Sequence, residues 1–259
     1  MRKTIIAANW KMHLNTHQAS LFLHKLDQKV AAHRDVITVL CPNMLALQSL
    51  SLQINHRKFK LGAQNCFWRD EGPFTGEVSA TMLHGVVQYV IVGHSERRHG
   101  FGETDADVRQ KVQAVIRNRM VPIICVGETA GERANGETKD VLHGQVTAAL
   151  ANVTSDEIDQ IVIAYEPVWA IGSGQSASPN DALDAISFIR GQIKALYGAA
   201  AAEAIHILYG GSVDNHNATG YLGSKGIDGL LVGGASLKAN VFSSIVEQAH
   251  AKHDKKSVK

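Results

Sequence analysis

Eight short apolar runs, rich in Val and Ile, recur along the chain and alternate with longer segments of helical periodicity. Each run is almost continuously apolar, which is typical of strands that are buried on both faces of a parallel sheet. The runs are TIIAAN from Thr4, VITVLC from Val36, FKLGAQ from Phe59, YVIVGH from Tyr89, VPIICVG from Val121, QIVIAYE from Gln160, IHILYGG from Ile205 and IDGLLVGG from Ile227. The pattern predicts an α/β protein.

The segments between the runs carry recognisable helix starts. Thr16, Thr104 and the pair Ser178-Pro179 each precede a stretch with helical spacing. No linker or low-complexity tract divides the 259 residues, so we expect residues 1–259 to form a single (β/α)8 barrel domain, with a short, frayed, basic tail from about residue 250. An open doubly wound sheet is the competing architecture, and the pattern alone does not exclude it.

Composition limits the binding partners and the cellular compartment that we expect for the protein. Lys plus Arg number 26 and Asp plus Glu number 24, and these charges are spread along the chain, so no nucleic-acid partner is expected. The three cysteines, Cys41, Cys66 and Cys125, have no metal-like spacing and are predicted to be free, mostly buried thiols. The first apolar run is too short for a signal peptide, and no run reaches transmembrane length. These features predict a cytoplasmic protein with no membrane partner.

Polar residues and glycines stand where the apolar runs stop. In a barrel the active site lies at the carboxyl ends of the strands, so these positions would meet at one mouth. Each residue taken singly has an ordinary structural explanation, but together they offer a base, a proton relay, a cation and two glycine turns. They are Asn9, Lys11, His94, Ser95, Glu96, Glu166, the Gly210-Gly211-Ser212 turn and the Gly233-Gly234 turn.

The segment VGGASL, which contains the Gly233-Gly234 turn, suggests the kind of substrate. A glycine turn exposes backbone N–H groups, and a short helix after it would direct the positive end of its dipole toward the mouth. The loops after strands seven and eight are the usual phosphate site of such barrels. A small phosphorylated metabolite is therefore the expected substrate.

Five segments at these positions resemble the triosephosphate isomerase family. They are NWKMH at 9–13, GHSERR at 93–98, AYEPVWAIG at 164–172, YGGSV at 209–213 and DGLLVGGASL at 228–237. The resemblance runs from the first strand to the last. It implies the interconversion of dihydroxyacetone phosphate and D-glyceraldehyde 3-phosphate, a step of glycolysis and gluconeogenesis, through an enediolate and without a cofactor.

The resemblance also implies a role for each polar residue. Glu166 matches the base that moves a proton between C1 and C2, and His94 matches the neutral imidazole that polarises the carbonyl. Lys11, with Asn9 beside it, matches the cation that stabilises the enediolate. Glu96 resembles the family's carboxylate near that lysine, and Ser95 begins a helical turn that would keep His94 neutral.

The glycine-rich stretch after Glu166 has two interpretations. Gly172-x-Gly174-x-x-Ala177 fits a dinucleotide fingerprint only weakly, because the bulky PVWAI separates it from the strand. The resemblance implies instead a lid that excludes water from the enediolate. Its residues are Pro167, Val168, Trp169, Ala170, Ile171, Gly172, Ser173, Gly174, Gln175, Ser176 and Ala177.

Two details of this region complete the comparison with the family. The substrate phosphate is expected at Gly172, Ser212, Gly233 and Gly234. The family lid usually reads AIGTGKTAT, whereas this chain has AIGSGQSAS, so that Gln175 replaces a lysine. We expect that departure to affect lid opening more than the chemistry.

Residues 64–77, QNCFWRDEGPFTGE, are long for a connection between a strand and a helix, and they carry three aromatic residues. The segment could fold onto its own barrel. The family resemblance favours the interdigitating loop of a homodimer, in which Thr75 would reach Asn9 and His94 of a second copy. The family usually has Ala where Pro73 stands, a change expected to stiffen the tip of the loop.

Weaker signals in the sequence point to other sites or functions. His13 and His17 lie four residues apart, as metal ligands on a helix can, but no third ligand is in view and no metal is expected. Cys125 is predicted to pack behind Glu166, since no histidine partner follows it. A sugar-phosphate aldolase or epimerase, a dinucleotide-dependent oxidoreductase and a non-catalytic phosphate-binding protein are the alternatives. An aldolase or epimerase would need a Schiff-base lysine or a cluster of metal ligands, and an oxidoreductase would need a better dinucleotide fingerprint. A non-catalytic binding protein would be expected to have lost Lys11, His94 or Glu166, and all three are present.

Overall fold

Eight parallel strands close into a barrel in the order of the chain. The computed structural model describes residues 2–172 and 176–257. Strand β1 pairs with β2, Thr4 opposite Val36, and also with β8, Ile5 opposite Gly229, which closes the sheet. The barrel prediction is confirmed, and the open sheet is excluded. The strands are β1 Thr4–Asn9, β2 Val36–Cys41, β3 Phe59–Ala63, β4 Tyr89–Val92, β5 Val121–Val126, β6 Val162–Tyr165, β7 His206–Tyr209 and β8 Gly229–Val232.

Helices lie between successive strands and surround the barrel. Short 3₁₀ turns at Ile158–Gln160, Val168–Ala170 and Gly234–Leu237 complete the connections. The α-helices are α1 Thr16–Lys29, α2 Met44–Ser51, α3 Ala80–Leu83, α4 Ser95–Phe101, α5 Asp105–Arg117, α6 Ala130–Ala134, α7 Thr138–Leu150, α8 Pro179–Tyr197, α9 Ala199–Ala204, α10 Ala218–Gly223 and α11 Ala239–Ser257. None of these helices is both long and apolar enough to cross a bilayer.

The strands bury side chains on both faces, which explains their continuously apolar sequences. Alternate residues such as Ile5, Ile91 and Ile123 fill the barrel interior, while neighbours such as Ile6 and Ile124 pack under the surrounding helices. Successive side chains of a strand point to opposite faces, so both sets must be apolar in a barrel wrapped by helices.

The helix starts follow the capping signals with one difference. Ser178 caps α8 through a capping box with Asp181, and Thr104 caps α5 in the same way with Asp107. At α1 the cap is Asn15, whose side chain accepts a hydrogen bond from the backbone N–H of Gln18, so that Thr16 is the first helical residue rather than the residue before it.

The C-terminal segment forms a helix. Helix α11 continues to Ser257, and the frayed, basic tail from about residue 250 stays a prediction. His253 is 6% exposed, and its Nε2 lies 2.9 Å from Oγ1 of Thr4. The first strand therefore holds this helix against the bottom of the barrel.

Candidate active site

The polar residues singled out in the sequence lie at the carboxyl ends of the strands. Asn9 is the last residue of β1, His94 follows β4 by two residues, and Glu166 directly follows β6. Closure of the barrel brings strands β1, β4 and β6 to one mouth although they are distant in sequence. All three side chains are largely buried there.

Glu166 is an ionised carboxylate at the centre of this mouth. It is 2% exposed. Its Oε1 lies 3.0 Å from Nε2 of His94, and its Oε2 accepts a 2.9 Å hydrogen bond from the backbone N–H of Ser95. Burial raises the pKa of Glu166, but His94 and the Ser95 N–H outweigh burial and hold that pKa below its ordinary value. The group is therefore available as a base at neutral pH.

Two glycines on neighbouring strands make room for Glu166. A Cβ atom at Gly127 would stand 1.7 Å from the carbonyl oxygen of Glu166, and one at Gly210 would stand 3.0 Å from its Cγ. Only glycine permits the close approach of the Gly127 backbone to the Glu166 carbonyl. Gly127 was not singled out in the sequence, because the contact joins two separate strand ends.

Cys125 lies on the inner side of Glu166, as predicted. The thiol is fully buried. Burial and the adjacent Glu166 carboxylate raise its pKa well above the ordinary value, so it stays protonated and is no nucleophile. Cys41 and Cys66 are likewise free and buried.

His94 is oriented by the first turn of α4. Its Nδ1 accepts a 3.2 Å hydrogen bond from the backbone N–H of Glu96. The accepting nitrogen carries no proton, so the proton of the neutral ring is on Nε2, the atom that faces Glu166. Burial lowers the pKa of His94, while the charge of the Glu166 carboxylate and its hydrogen bond offset burial and raise the pKa above its ordinary value.

Lys11 has a strained backbone that is held from both sides. Its φ angle is 51°, in the left-handed region. The Asn9 side chain accepts a 3.0 Å hydrogen bond from the Lys11 N–H, and Nε2 of Gln64 donates to the carbonyls of Lys11, at 3.0 Å, and of Cys41, at 2.9 Å. Nζ of Lys11 pairs with Oε1 of Glu96 at 2.5 Å. The sequence placed Gln64 at the junction of a strand and a loop and gave it no role in the site.

The glycine turn after β8 lies beside this lysine. A Cβ atom at Gly233 would be 3.6 Å from Cε of Lys11. Gly234–Leu237 form the expected short helix, of 3₁₀ type, and its Ser236 N–H and Oγ both donate to the carbonyl of Gly233. The glycine turn therefore lies next to the Lys11 ammonium group, an arrangement that suits an anionic group such as phosphate.

Comparison with known proteins decides the family. The family model described as triosephosphate isomerase matches residues 4–249. The chain is 46% identical to a triosephosphate isomerase of Alkaliphilus metalliredigens over 247 residues, covering 95% of this chain and 99% of that protein. It is 43% identical to one from Clostridium tetani, covering 95% and 96%, and 40% identical to one from Streptococcus mutans, covering 95% and 98%. The chain belongs to the triosephosphate isomerase family.

The segment that the family resemblance assigns as a lid is anchored at its start by hydrogen bonds to Glu128. Residues Val168–Ala170 form a 3₁₀ turn, and Glu128, fully buried, accepts hydrogen bonds from Trp169 Nε1 at 2.9 Å and from the Tyr165 hydroxyl at 3.1 Å. Ser173, Gly174 and Gln175 lie outside the described residues. Glu128 was missed in the sequence, because its role depends on contacts with a segment about 40 residues later.

The two ends of this segment differ in exposure. Gly172 has a φ angle of 71° and is exposed, whereas Ala177 is 1% exposed and its carbonyl accepts a 2.6 Å hydrogen bond from the Tyr221 hydroxyl. Ser212, another expected phosphate ligand of the triosephosphate isomerase family, follows β7, and its carbonyl accepts a 3.1 Å hydrogen bond from Nδ2 of Asn217.

The long loop at 64–77 is partly packed on itself and partly exposed. The ring of Phe67 stacks on Trp68 at 4.1 Å and contacts Phe74 at 4.6 Å. Residues 69–77, including Pro73 and Thr75, are nevertheless exposed. The loop therefore covers its own aromatic residues only in part and offers its tip to solvent.

The histidine pair proposed as a weak metal signal does not have helical geometry. His17 lies in the first turn of α1, but His13 precedes the helix and its cap. The spacing of four residues therefore does not place the two rings on one helix face.

Proposed function

We propose that the protein interconverts dihydroxyacetone phosphate and D-glyceraldehyde 3-phosphate, with Glu166 as the base and His94 as the proton donor to oxygen. The observation that carries the proposal is the 3.0 Å approach of Glu166 Oε1 to His94 Nε2 at the mouth of the barrel. A base and a donor placed so closely can serve neighbouring carbon and oxygen atoms of one small substrate.

The reaction follows from these two groups. Glu166 takes the proton from C1, and the carbonyl oxygen at C2 accepts a hydrogen bond from Nε2 of His94 as negative charge develops on it. A proton moves from the oxygen on C1 to the oxygen on C2 through His94, and Glu166 returns its proton to C2. No atom is gained or lost, so no cofactor is required.

Substrate must separate Glu166 from His94 when it binds between them. The contact with Glu166 is what raises the pKa of His94, whereas burial lowers it. Once substrate oxygens lie between the two side chains, the Glu96 N–H on Nδ1 and burial favour the neutral ring. A neutral donor of this kind does not protonate Glu166 in competition with the substrate.

Lys11 supplies positive charge to the enediolate, and Asn9 and Gln64 hold its backbone in place. Donors fixed in advance need no reorganisation during the reaction, and the loss of one at such sites costs about 2.7 to 4 kcal/mol. Glu96 restrains the ammonium group through the ion pair.

The phosphate of the substrate is bound by backbone N–H groups of the turns at Gly172, Ser212, Gly233 and Gly234. The position of Gly233 next to Lys11 supports this assignment. Residues 167–177 act as a lid that excludes water from the enediolate, since closure of this kind limits side reactions.

The active species is a homodimer in the cytoplasm. Large apolar side chains are exposed on the segments after β1, β2, β3 and β4, which are adjacent strands of the barrel. These side chains are Met12, Leu45, Phe74, Met82 and Phe101. A second copy that covers this face would bring Thr75 toward the site of its partner. The cytoplasm is proposed as the location because the three cysteines are free thiols.

The decisive experiment is the conversion of D-glyceraldehyde 3-phosphate in the presence of EDTA, followed with a dehydrogenase that consumes dihydroxyacetone phosphate. Glu166→Gln is expected to lower kcat by about 10²- to 10⁴-fold. Glu137→Gln serves as the matched control, because Glu137 is exposed and its side chain makes no capping hydrogen bond. Equal activity of Glu166→Gln and wild type would refute the assignment, and chelator-sensitive turnover would refute the metal-free reaction.

A further inference from the structure

A second cluster of ionisable side chains lies at the opposite end of the barrel from the active site. His33 and Asp35 belong to the connection between α1 and β2, just before the first residue of β2. His250 and Glu247 lie on α11, three residues apart, and so share one face of that helix. The cluster joins the amino end of a strand to the C-terminal helix.

The four side chains are in direct contact. Nδ1 of His250 lies 3.0 Å from each carboxylate oxygen of Asp35, and Nε2 of His33 lies 2.9 Å from Oε1 of Glu247. The two imidazole rings stack at 4.0 Å with an interplanar angle of 26°. One ligand atom from each of His33, Asp35 and His250 can be chosen so that all lie within 4.8 Å of one another.

The donor groups of this cluster suit a divalent cation. The carboxylates of Asp35 and Glu247 each lie within 3.0 Å of an imidazole nitrogen. The cluster thus offers two carboxylates and two imidazoles, and a dication placed among them would meet both kinds of donor.

We propose that His33, Asp35 and His250 bind a Zn²⁺ ion, with Glu247 available as the fourth ligand. Neutral imidazole and carboxylate are ligands that Zn²⁺ accepts in tetrahedral sites. Ligand atoms around such an ion lie roughly 3.4 Å apart, so small side-chain rotations close the cluster on the metal. The ion reaches the site from solvent, because the side chains of His250 and Asp35 are 33% and 23% exposed.

The bound ion would act as a clamp. It would tie the connection before β2 to α11, and it would take no part in the isomerisation because the active site is at the other end of the strands. A ligand that binds the folded chain and not the unfolded chain raises thermal stability. The expected consequence is a higher Tm with Zn²⁺ and unchanged turnover.

The test is calorimetric titration of the full-length protein with zinc chloride, after removal of metals with EDTA and exchange into chelator-free buffer. Wild type is expected to bind one Zn²⁺ per chain, and His33→Gln and His250→Gln are each expected to lower the affinity at least tenfold. The matched control is the double variant His13→Gln, His17→Gln, whose histidines lie outside the cluster and should leave the affinity unchanged.

Two further measurements separate metal binding from a simple structural role of the histidines. Circular dichroism in EDTA identifies variants that have lost the fold; if His250→Gln is one of them, Asp35→Asn takes its place. Co²⁺ should give the intense visible absorption of a tetrahedral site in wild type and in the control only. Absence of stoichiometric Zn²⁺ binding, or binding that is unchanged in the cluster variants, would overturn the proposal.

Discussion

Nε1 of Trp169 donates a 2.9 Å hydrogen bond to Oε1 of Glu128 at the start of the proposed lid. The same carboxylate also accepts a hydrogen bond from the Tyr165 hydroxyl, and the backbone carbonyl of Glu128 accepts one from the Val168 N–H. The guanidinium of Arg133 lies over the Trp169 ring, 4.4 Å from its centroid. Because Glu128 is fully buried, it holds this end of the lid by contacts that water cannot replace.

Glu128→Gln should weaken that anchor. The amide carries no negative charge, so the hydrogen bonds from Trp169 and Tyr165 lose their charge-assisted strength and the 3.7 Å ion pair with Arg133 is lost. The free energy of unfolding should fall by about 1 kcal/mol. The change is measured by urea unfolding, and lid motion by Trp169 fluorescence and kcat. Glu137→Gln, at an exposed position, is the control. Unchanged stability together with unchanged kcat would show that Glu128 is not an anchor.

Gln64→Ala should lower kcat/KM roughly tenfold, which corresponds to about 1.4 kcal/mol. The reason is that Gln64 donates to the carbonyls of Lys11 and Cys41 and so supports the left-handed backbone of Lys11. Gln53→Ala is a suitable control, because Gln53 makes its side-chain hydrogen bonds in an exposed position. Equal loss in both variants, measured by initial rates, would argue against a specific effect on Lys11.

Acid should remove part of the stability through Glu103. Burial raises the pKa of Glu103, but Lys111 at 2.5 Å and Arg97 at 2.6 Å lower it by more, so the folded pKa lies below 4.5. A carboxyl group whose pKa is lower in the folded state stabilises the fold at pH values above its unfolded-state pKa. This contribution is lost as the pH falls through its folded-state pKa. Stability should therefore decline below about pH 4.5.

The measurement for Glu103 is the free energy of unfolding between pH 7 and pH 3 for wild type and Glu103→Gln. Other carboxylates titrate in both proteins, so the difference between the two curves isolates Glu103. That difference should shrink as the pH falls below 4.5. A difference that stays constant across the range would contradict the assignment.

Thr75→Arg should disrupt the proposed homodimer, because Thr75 stands at the exposed tip of the loop at 64–77. We expect a sedimentation mass of one chain and a loss of kcat/KM of roughly 10²-fold, the cost of a small displacement at an active site. Ala195→Arg places the same charge on the exposed face of α8 and should have no effect. A monomeric wild type with full activity would refute the dimer proposal.

Much of the fold could be predicted because each part depends on local chemistry. The eight strands are continuously apolar because both of their faces are buried, and Thr104 and Ser178 mark helix starts by hydrogen bonds to residues three positions away. The sequence did not distinguish a closed barrel from an open doubly wound sheet. Closure depends on the pairing of β1 with β8, which joins residues more than 200 positions apart.

The sequence by itself determined which reactive groups the site contains, because Lys11, His94 and Glu166 each stand at the end of an apolar run. Only the tertiary structure decided how these groups are held. The contacts that hold them join segments that are distant in sequence. Examples are Gln64 with Lys11, Gly127 with Glu166, and, at the other end of the barrel, Asp35 with His250. The physical reason is that a hydrogen bond or close approach of this kind depends on the closed barrel, which brings distant strand ends within a few ångströms of each other.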